Sequence, residues 1–168
     1  MGLVEFTVAG ALVETHEGIL IVRNRRRSGA SDWSTPGGVI DTTDASVVAG
    51  LTREVEEETG IVVARWEGPL YEVRATAPEL GWSMRCEVHR ALAFDGELRV
   101  DDPDGIVIEA MYAQPERCLA FLEPSALWVR EPLGEWIAER WGPDRARLYA
   151  YDIFGNRRDE LHAVRATT

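Results

Sequence analysis

The amino-acid sequence predicts one domain of the mixed α/β or α+β class, and three observations support this. The chain has 168 residues, 45% of them hydrophobic, which suits a single domain with a sizeable core. Short runs rich in strand-forming residues recur along most of the chain. Two other segments carry apolar residues at helical spacing. We assign residues 1–168 to this domain, with a C-terminal helix and β-hairpin extension around residues 124–168.

The N-terminal part is predicted to form a β-hairpin. Residues 6–13 and 18–23 are rich in strand formers, and the turn-like segment Glu14-Thr-His-Glu-Gly18 joins them. A polar loop over residues 24–35 follows and ends at Pro36-Gly37-Gly38.

The next segment is predicted to be an amphipathic helix. Asp44 is a candidate N-cap, and Gly60 is a natural residue to follow the helix end. The apolar face of this helix is formed by Val47, Val48, Leu51 and Val55.

The rest of the chain alternates strands with one late helix. Strands are predicted at residues 61–66, 71–75, 84–94 and 106–113. The late helix has Pro132 in its first turn and four apolar residues at helical spacing: Leu133, Trp136, Ile137 and Trp141. Two short β-like runs at residues 147–154 and 160–164 then flank Gly155-Asn156.

The charge balance argues against polyanionic partners. The chain has 18 basic and 29 acidic residues, and its formal net charge is −11. Such a field disfavours nonspecific binding to nucleic acid or to an anionic membrane. A small anionic molecule remains compatible, because a bound metal ion reverses the local sign of the charge.

The cysteines and the apolar pattern predict a cytoplasmic protein. Cys86 and Cys118 lie 32 positions apart and form no C-x-x-C pair. We find no secretory n-region followed by an apolar run, and no apolar stretch near the ~20 residues of a spanning helix. A reducing compartment fits both observations.

The first predicted helix contains four glutamates within a stretch of five residues. Like charges three or four residues apart destabilise a helix by roughly 0.2–0.5 kcal/mol per pair. Because a helix turns about 100° per residue, Glu54, Glu57 and Glu58 share one face, and Glu56 points elsewhere. Mg²⁺ or Mn²⁺ would reverse the repulsion, since hard cations prefer oxygen ligands. A solvated acidic face fits the same residues, so both interpretations stay open at this point.

The segment resembles the signature of the Nudix hydrolases, which reads G-x5-E-x7-R-E-U-x-E-E-x-G-U, where U is a bulky aliphatic residue. Trp33-Ser-Thr-Pro-Gly-Gly38 is similar to the family's W-x-x-P-G-G approach. The second half of the signature matches at every specified position: Arg53, Glu54, Val55, Glu57, Glu58, Gly60 and Ile61. The resemblance implies a Nudix fold, an α/β/α sandwich around a mixed β-sheet.

The first half of the signature departs from the family pattern. Asp44 takes the position of the first Glu, Thr43 replaces the frequent Gly before it, and eight residues instead of seven separate Asp44 from Arg53. A spacing of seven residues before Arg53 would instead place Ala45 in the acidic position. In the family this residue braces the loop and the helix, often through the motif Arg. The shorter Asp44 and the extra residue affect this brace and leave the metal-binding helix intact.

The resemblance also implies a function, namely Mg²⁺-dependent hydrolysis (Mn²⁺ as a substitute) of a nucleoside diphosphate linked to another moiety. The implied catalytic residues are Arg53, Glu54, Glu57 and Glu58, and the same three glutamates with the Gly38 carbonyl (or Gly37) would hold the metal. Glu57 and Glu58 would be mainly ligands and Glu54 a ligand or the base, whereas Arg53 would orient a glutamate.

Substrate contacts are predicted outside the helix. Arg23 ends the second strand where family members often contact phosphate, and Asp104 belongs to the acidic loop Asp101-Asp-Pro-Asp104 that could supply a base or an extra ligand. The expected partner is a small nucleotide diphosphate derivative. The tail from residue 115 to 168 could shape the pocket or form a homodimer interface.

Two other functions are compatible with the residues. A Nudix-fold protein that senses a ligand or binds a partner without turnover would tolerate the change at Asp44. An acidic helix that only increases solubility would not require the specified residues of the signature. The complete set Arg53, Glu54, Glu57 and Glu58 favours the hydrolase.

Overall fold

A computed structural model describes residues 2–158 and 160–166 of the chain. Three α-helices and ten strands make up this part of the chain, with two short 3₁₀ turns at Pro78–Leu80 and Pro143–Arg145. The helices are α1 (Val47–Thr59), α2 (Pro115–Leu122) and α3 (Leu127–Glu139). The strands are β1 (Val4–Leu12), β2 (Glu14–Thr15), β3 (Gly18–Arg25), β4 (Ser31–Ser34), β5 (Gly37–Val39), β6 (Val62–Ala77), β7 (Trp82–Asp95), β8 (Val107–Ala113), β9 (Arg147–Phe154) and β10 (His162–Arg165).

The strands form two sheets. The larger one is mixed, with the order β10-β9-β6-β7-β1-β5 and with parallel pairs β1–β7 and β6–β9. In the smaller sheet, β3 pairs with β2, β4 and β8. Strand β5, which carries the Gly37-Gly38 pair, is an edge strand and pairs only with β1.

Helices cover opposite sides of these strands, because the strands carry apolar side chains on both faces. Leu51 and Val55 of α1 pack against one cluster, with Ala9, Ala11 and Leu20. A second cluster joins Leu12, Ile19 and Ile21 to α2 and α3 through Cys118, Leu122, Leu133 and Trp136. The strands therefore lie between two helical layers.

The predicted N-terminal hairpin is wrong in its pairing. Strand β1 pairs with β7 over nine positions and does not pair with β3; only the two-residue β2 pairs with β3 across the turn. Because β1 is occupied by β5 and β7 on its two edges, the chain passes into the second sheet after Val13.

The start of α1 also differs from the prediction. Ser46 is the N-cap, and its hydroxyl accepts a hydrogen bond from the N–H of Ala49. Asp44 cannot cap the helix because its carboxylate binds Arg53 and the N–H of Asp41. The predicted end is confirmed: Gly60 has φ +77°, and its N–H donates to the Glu56 carbonyl.

Other boundaries differ where local signals are weak. The predicted strands 61–66 and 71–75 form one strand, β6, with irregular pairing near Arg65 and around Gly68-Pro69. The predicted polar loop 24–35 contains β4. Helix α2 was not predicted, and α3 begins early enough that Pro132 lies in its interior. The late strands are confirmed at β9 and shifted slightly at β10.

The C-terminal strands are joined to α3 by carboxylates. Glu131 accepts a hydrogen bond from the Tyr151 hydroxyl, and Glu135 accepts one from the Tyr149 hydroxyl. Arg165 of β10 pairs with Glu135 at 3.0 Å. These contacts fix β9 and β10 against α3 and so position the last described residues.

Candidate active site

The glutamate face of α1 lies directly against strand β5. The Oε2 atom of Glu58 accepts a hydrogen bond of 2.9 Å from the N–H of Gly37, and the Glu58 side chain is 8% exposed. A Cβ atom on Gly38 would lie 2.6 Å from the Oε2 atom of Glu54. A Cβ atom on Gly37, where φ is +144°, would lie 2.1 Å from the Ala9 carbonyl oxygen. A side chain at residue 37 would therefore clash with β1, and one at residue 38 would displace the Glu54 carboxylate.

Arg53 links the loop before α1 to two of the glutamates. Its Nε and Nη2 atoms donate to the two carboxylate oxygens of Asp44, at 3.1 and 2.9 Å. Its Nη1 atom donates to Glu54 at 2.7 Å and to Glu57 at 3.3 Å. Asp44 and Arg53 therefore brace the loop against the helix, despite the shorter side chain of Asp44 and the extra residue.

Gly50 makes room for this brace and was not singled out from the sequence. It lies inside α1 beneath Asp44, and a Cβ atom on it would lie 2.6 Å from the Asp44 Oδ2 atom. A glycine in a helix interior costs about 1 kcal/mol relative to alanine. The close approach of Asp44 explains why a helix would keep this residue.

Burial and nearby negative charges disfavour the ionised forms of Glu54 and Glu58. Burial, with a smaller contribution from the negative charges of Glu54, Asp102 and Glu57, raises the pKa of Glu58 to about 8, although the hydrogen bond from the Gly37 N–H opposes this. Burial also raises the pKa of Glu54, against the lowering effect of Arg53. A nearby divalent cation would favour the ionised form of both carboxylates.

The acidic loop between β7 and β8 lies close enough to act on these groups. Asp102 uses its carboxylate inside the loop, where it accepts from the N–H groups of Asp104, Ile106 and Val107. Asp104 is exposed, and its charge contributes to the raised pKa of Glu54. Of these two aspartates, Asp104 is the one whose carboxylate accepts no hydrogen bond from the described residues.

The donor set fits a hard cation such as Mg²⁺ or Mn²⁺. Three carboxylates and the backbone of Gly38 offer only oxygen ligands, and two of the carboxylates have raised pKa values because they are buried. Among residues 2–158 and 160–166, no three acidic, His or Cys side chains are already arranged around a common point. In this arrangement Arg53 and the Gly37 N–H each occupy a glutamate oxygen, on Glu54 and Glu58 respectively.

Arg23 does not join this cluster in the part of the chain that the structure describes. Its Nη2 atom lies 3.2 Å from Glu109 on the neighbouring strand β8, and neither a hydrogen bond nor an ion pair connects it to the three glutamates. Its predicted phosphate contact stays a prediction.

A large cavity begins on the other face of β5. Its volume is about 1160 Å³, and its walls come from β1, β4, β5, the start of β7, the start of α3 and the segment leading into β10. Because side chains alternate along a strand, Val39 points into this cavity whereas its neighbour Gly38 faces Glu54. One residue of an edge strand therefore separates the cavity from the glutamates.

The aromatic residues Trp82 and Tyr71 differ in their relation to the cavity. Trp82 lines the cavity, together with Trp33 and Trp128, but Tyr71 is 3% exposed in the core. Trp33 was visible in the sequence as the first residue of the W-x-x-P-G-G approach, whereas Trp128 carried no sequence signal.

Comparison with known proteins identifies the class. The model of the NUDIX domain family matches residues 5–136. The structure resembles a MutT NUDIX hydrolase from Burkholderia pseudomallei, with 28% identity and a TM-score of 0.64 over 77% of this chain and 95% of that one. It also resembles a MutT protein from Bacillus halodurans, with 19% identity and a TM-score of 0.68 over 95% of this chain and 97% of that one.

An ADP-ribose pyrophosphatase from Streptococcus suis shares the fold at 19% identity, with a TM-score of 0.51 over 85% of this chain and 98% of that one. No curated protein sequence matches the chain significantly.

The chain therefore belongs to the Nudix family and is a Nudix hydrolase. The fold predicted from the sequence, with strands between helical layers, is confirmed. In the described residues, no helix is both long and apolar enough to cross a membrane.

Proposed function

We propose that the protein hydrolyses the diphosphate linkage of a nucleoside diphosphate derivative in the presence of Mg²⁺, with Mn²⁺ as a substitute. The observation that carries the proposal is the approach of β5 to α1, where the Gly37 N–H binds Glu58 and a Cβ atom on Gly38 would lie against the Glu54 carboxylate. Pyrophosphohydrolase chemistry in general follows from family membership, and the metal and the substrate are the proposed part.

The proposed ligands are Glu54, Glu57 and Glu58 with the carbonyl of Gly38. When bound, a divalent cation neutralises the charge on the diphosphate oxygens and lowers the pKa of the attacking water. Glu57 and Glu58 act mainly as ligands, and Glu54 acts as a ligand or accepts the proton of the water.

Two residues hold the glutamates in position. The Gly37 N–H binds one carboxylate oxygen of Glu58, and the other oxygen is left to bind the cation. Arg53 is anchored by Asp44 on one side and reaches Glu54 and Glu57 on the other, so it orients a carboxylate without touching the substrate.

The remaining predicted contacts extend the site beyond α1. We assign Asp104 to the substrate side of the site because its charge acts on Glu54. We assign Arg23 to a phosphate, which requires that it leave Glu109. One of the two groups joined by the diphosphate then lies over the β5 edge, in the large cavity.

A panel of substrates tests the proposal. The protein is incubated in ¹⁸O-labelled water with ADP-ribose, nucleotide sugars, dinucleoside polyphosphates, dinucleotides, coenzyme A and nucleoside triphosphates, with Mg²⁺, with Mn²⁺ or with a chelator. We expect a phosphate product carrying one ¹⁸O atom for at least one compound, and no product with the chelator. Absence of products across the panel at high protein concentration, with both metals, contradicts the proposal and favours a ligand-binding role.

A further inference from the structure

The large cavity carries positive charge that no described residue neutralises. Four of its lining residues are charged: Arg26, Asp32, Arg130 and Arg158. Arg26 is paired with Asp32 through two hydrogen bonds of 2.7 Å. The side chains of Arg130 and Arg158 are exposed and form neither a hydrogen bond nor an ion pair with a described residue.

This local charge is opposite to that of the whole protein. The chain has a formal net charge of −11, and most surfaces of such a molecule repel anions. The cavity nevertheless contains three arginines and a single carboxylate. An excess of unpaired arginine in a concave surface is suited to bind a phosphate, since the guanidinium group matches its oxygens.

The arginines accompany an aromatic wall. Trp33, Trp82 and Trp128 line the same cavity and are all partly buried. Indole rings provide flat apolar surfaces on which a base or another planar group stacks. A volume of about 1160 Å³ slightly exceeds the roughly 300–1,000 Å³ of most small-molecule pockets, so the cavity has room for a large group.

Part of the cavity is built by a segment outside the match to the family. Arg158, together with residues 161–163, lines the cavity but lies beyond residue 136, where the match to the NUDIX domain ends. Strand β10 is held in this position by its pairing with β9 and by the ion pair between Arg165 and Glu135. Arg158 is thus supplied by the C-terminal segment of this chain, and Arg130 by α3.

We propose that the part of the substrate in the large cavity carries a phosphate of its own, separate from the scissile diphosphate, and that Arg130 and Arg158 bind it. This inference rests on the proposed function and narrows it. The substrate class is a nucleoside diphosphate derivative in which one of the joined groups is itself phosphorylated.

Equilibrium binding tests the phosphate site without turnover. The full chain, free of metal, is titrated by calorimetry with adenosine 3′,5′-bisphosphate and with adenosine 5′-monophosphate. We expect the bisphosphate to bind about tenfold more tightly, which corresponds to one additional charge-assisted contact. The double variant Arg130→Gln/Arg158→Gln should bind the two compounds equally, and circular dichroism should show an unchanged fold because both side chains are exposed.

Arg145→Gln is the control for the loss of an exposed arginine outside the cavity. It removes one positive charge, against two in the double variant, and Arg145 lies in the 3₁₀ turn Pro143–Arg145 and does not line the cavity. This variant should keep the preference for the bisphosphate. Equal binding of the two compounds to the unmodified protein, or a preference that survives in the double variant, overturns the inference.

Turnover separates this inference from the proposed function. Two substrate pairs differ by one ribose phosphate, namely coenzyme A with dephospho-coenzyme A and NADP⁺ with NAD⁺. We expect a higher kcat/KM for the phosphorylated member of a pair that is cleaved, and the double variant should lose this advantage through KM. Selective binding of the bisphosphate without hydrolysis of any compound would leave the phosphate site standing and contradict the hydrolase proposal.

Discussion

Asp44 and Arg53 are joined by two hydrogen bonds of 3.1 and 2.9 Å, one to each carboxylate oxygen. The pair connects the loop before α1 to the helix, and the third nitrogen of the same guanidinium reaches Glu54 and Glu57. This geometry makes Asp44 the anchor of Arg53, and the hydrogen bond from Arg53 lowers the pKa of Asp44.

Removing the anchor should disturb the site without removing a ligand. In Asp44→Ala, Arg53 loses two charge-assisted hydrogen bonds and is free to move with Glu54 and Glu57. Because groups that orient metal ligands typically contribute 10–100-fold, we expect kcat/KM to fall by about that factor. Asp41→Ala is the control, since Asp41 is exposed and lies 3.6 Å from Arg53. Equal effects of the two changes would show that the brace has no special role.

Gly50→Ala should lack the stabilisation that alanine normally gives inside a helix. The new Cβ would lie 2.6 Å from Asp44 Oδ2, so the carboxylate must leave Arg53 or the helix must shift. We expect a lower free energy of unfolding and lower activity, measured by urea denaturation and by kcat/KM.

Gly134→Ala in α3 provides the matched comparison for Gly50. There the Cβ would meet only the Leu119 side chain, at an ordinary 3.5 Å. This variant should gain roughly up to 1 kcal/mol. If Gly50→Ala gains as much as Gly134→Ala, the proposed packing of Asp44 over Gly50 is wrong.

Glu58 should make the metal-free protein less stable at high pH. Its pKa is raised from 4.5 to about 8 in the folded state, so the folded protein keeps a proton that the unfolded chain releases. The contribution of Glu58 to the free energy of unfolding therefore falls as the pH rises from about 4.5 to about 8. Glu58→Gln should flatten this part of the pH profile and raise Tm at pH 8 more than at pH 5, in the presence of a chelator. A pH profile that the substitution leaves unchanged would contradict the buried, protonated state of Glu58.

Tyr151→Phe should loosen the C-terminal strands. The hydroxyl of Tyr151 donates to Glu131, and its ring is 1% exposed, so the change removes one charge-assisted hydrogen bond and keeps the packing. We expect a loss of about 1 kcal/mol in chemical denaturation, because Glu131 can still be hydrated. Leu148→Ala on the exposed face of the same strand is the control, and a larger loss there would argue against the hydrogen bond.

The part of the candidate site that lies on one helix could be predicted from the sequence. Helical spacing places Glu54, Glu57 and Glu58 on one face, and the family signature names Arg53 and the glycines of β5. The structure adds that Gly37 binds Glu58 and that Gly38 contacts Glu54. The N-cap could not be chosen from the sequence, because Asp44 and Ser46 are both good caps, and the partner of Asp44 decided between them.

The large cavity could not be predicted because its walls are far apart in the sequence. Phe6, Trp82, Arg130 and Arg158 meet only after β1, β7, α3 and the segment before β10 have been assembled. The pairing of β1 was missed for a similar reason, since its partner β7 lies about 80 residues away. The division into a domain with an extension, the homodimer interface and the cytoplasmic location stay predictions.

The most direct test of the central claim compares two glutamates on the same helix. Glu57→Gln and Glu56→Gln each remove one negative charge from α1, but only Glu57 belongs to the proposed ligand set. With any substrate cleaved in the presence of Mg²⁺, we expect Glu57→Gln to lower kcat/KM by about two orders of magnitude or more, and Glu56→Gln to leave it within about twofold, since loss of one charge-stabilising group in a site costs about 10²–10³. Equal activity of the two variants would contradict a metal site on the Glu54–Glu57–Glu58 face.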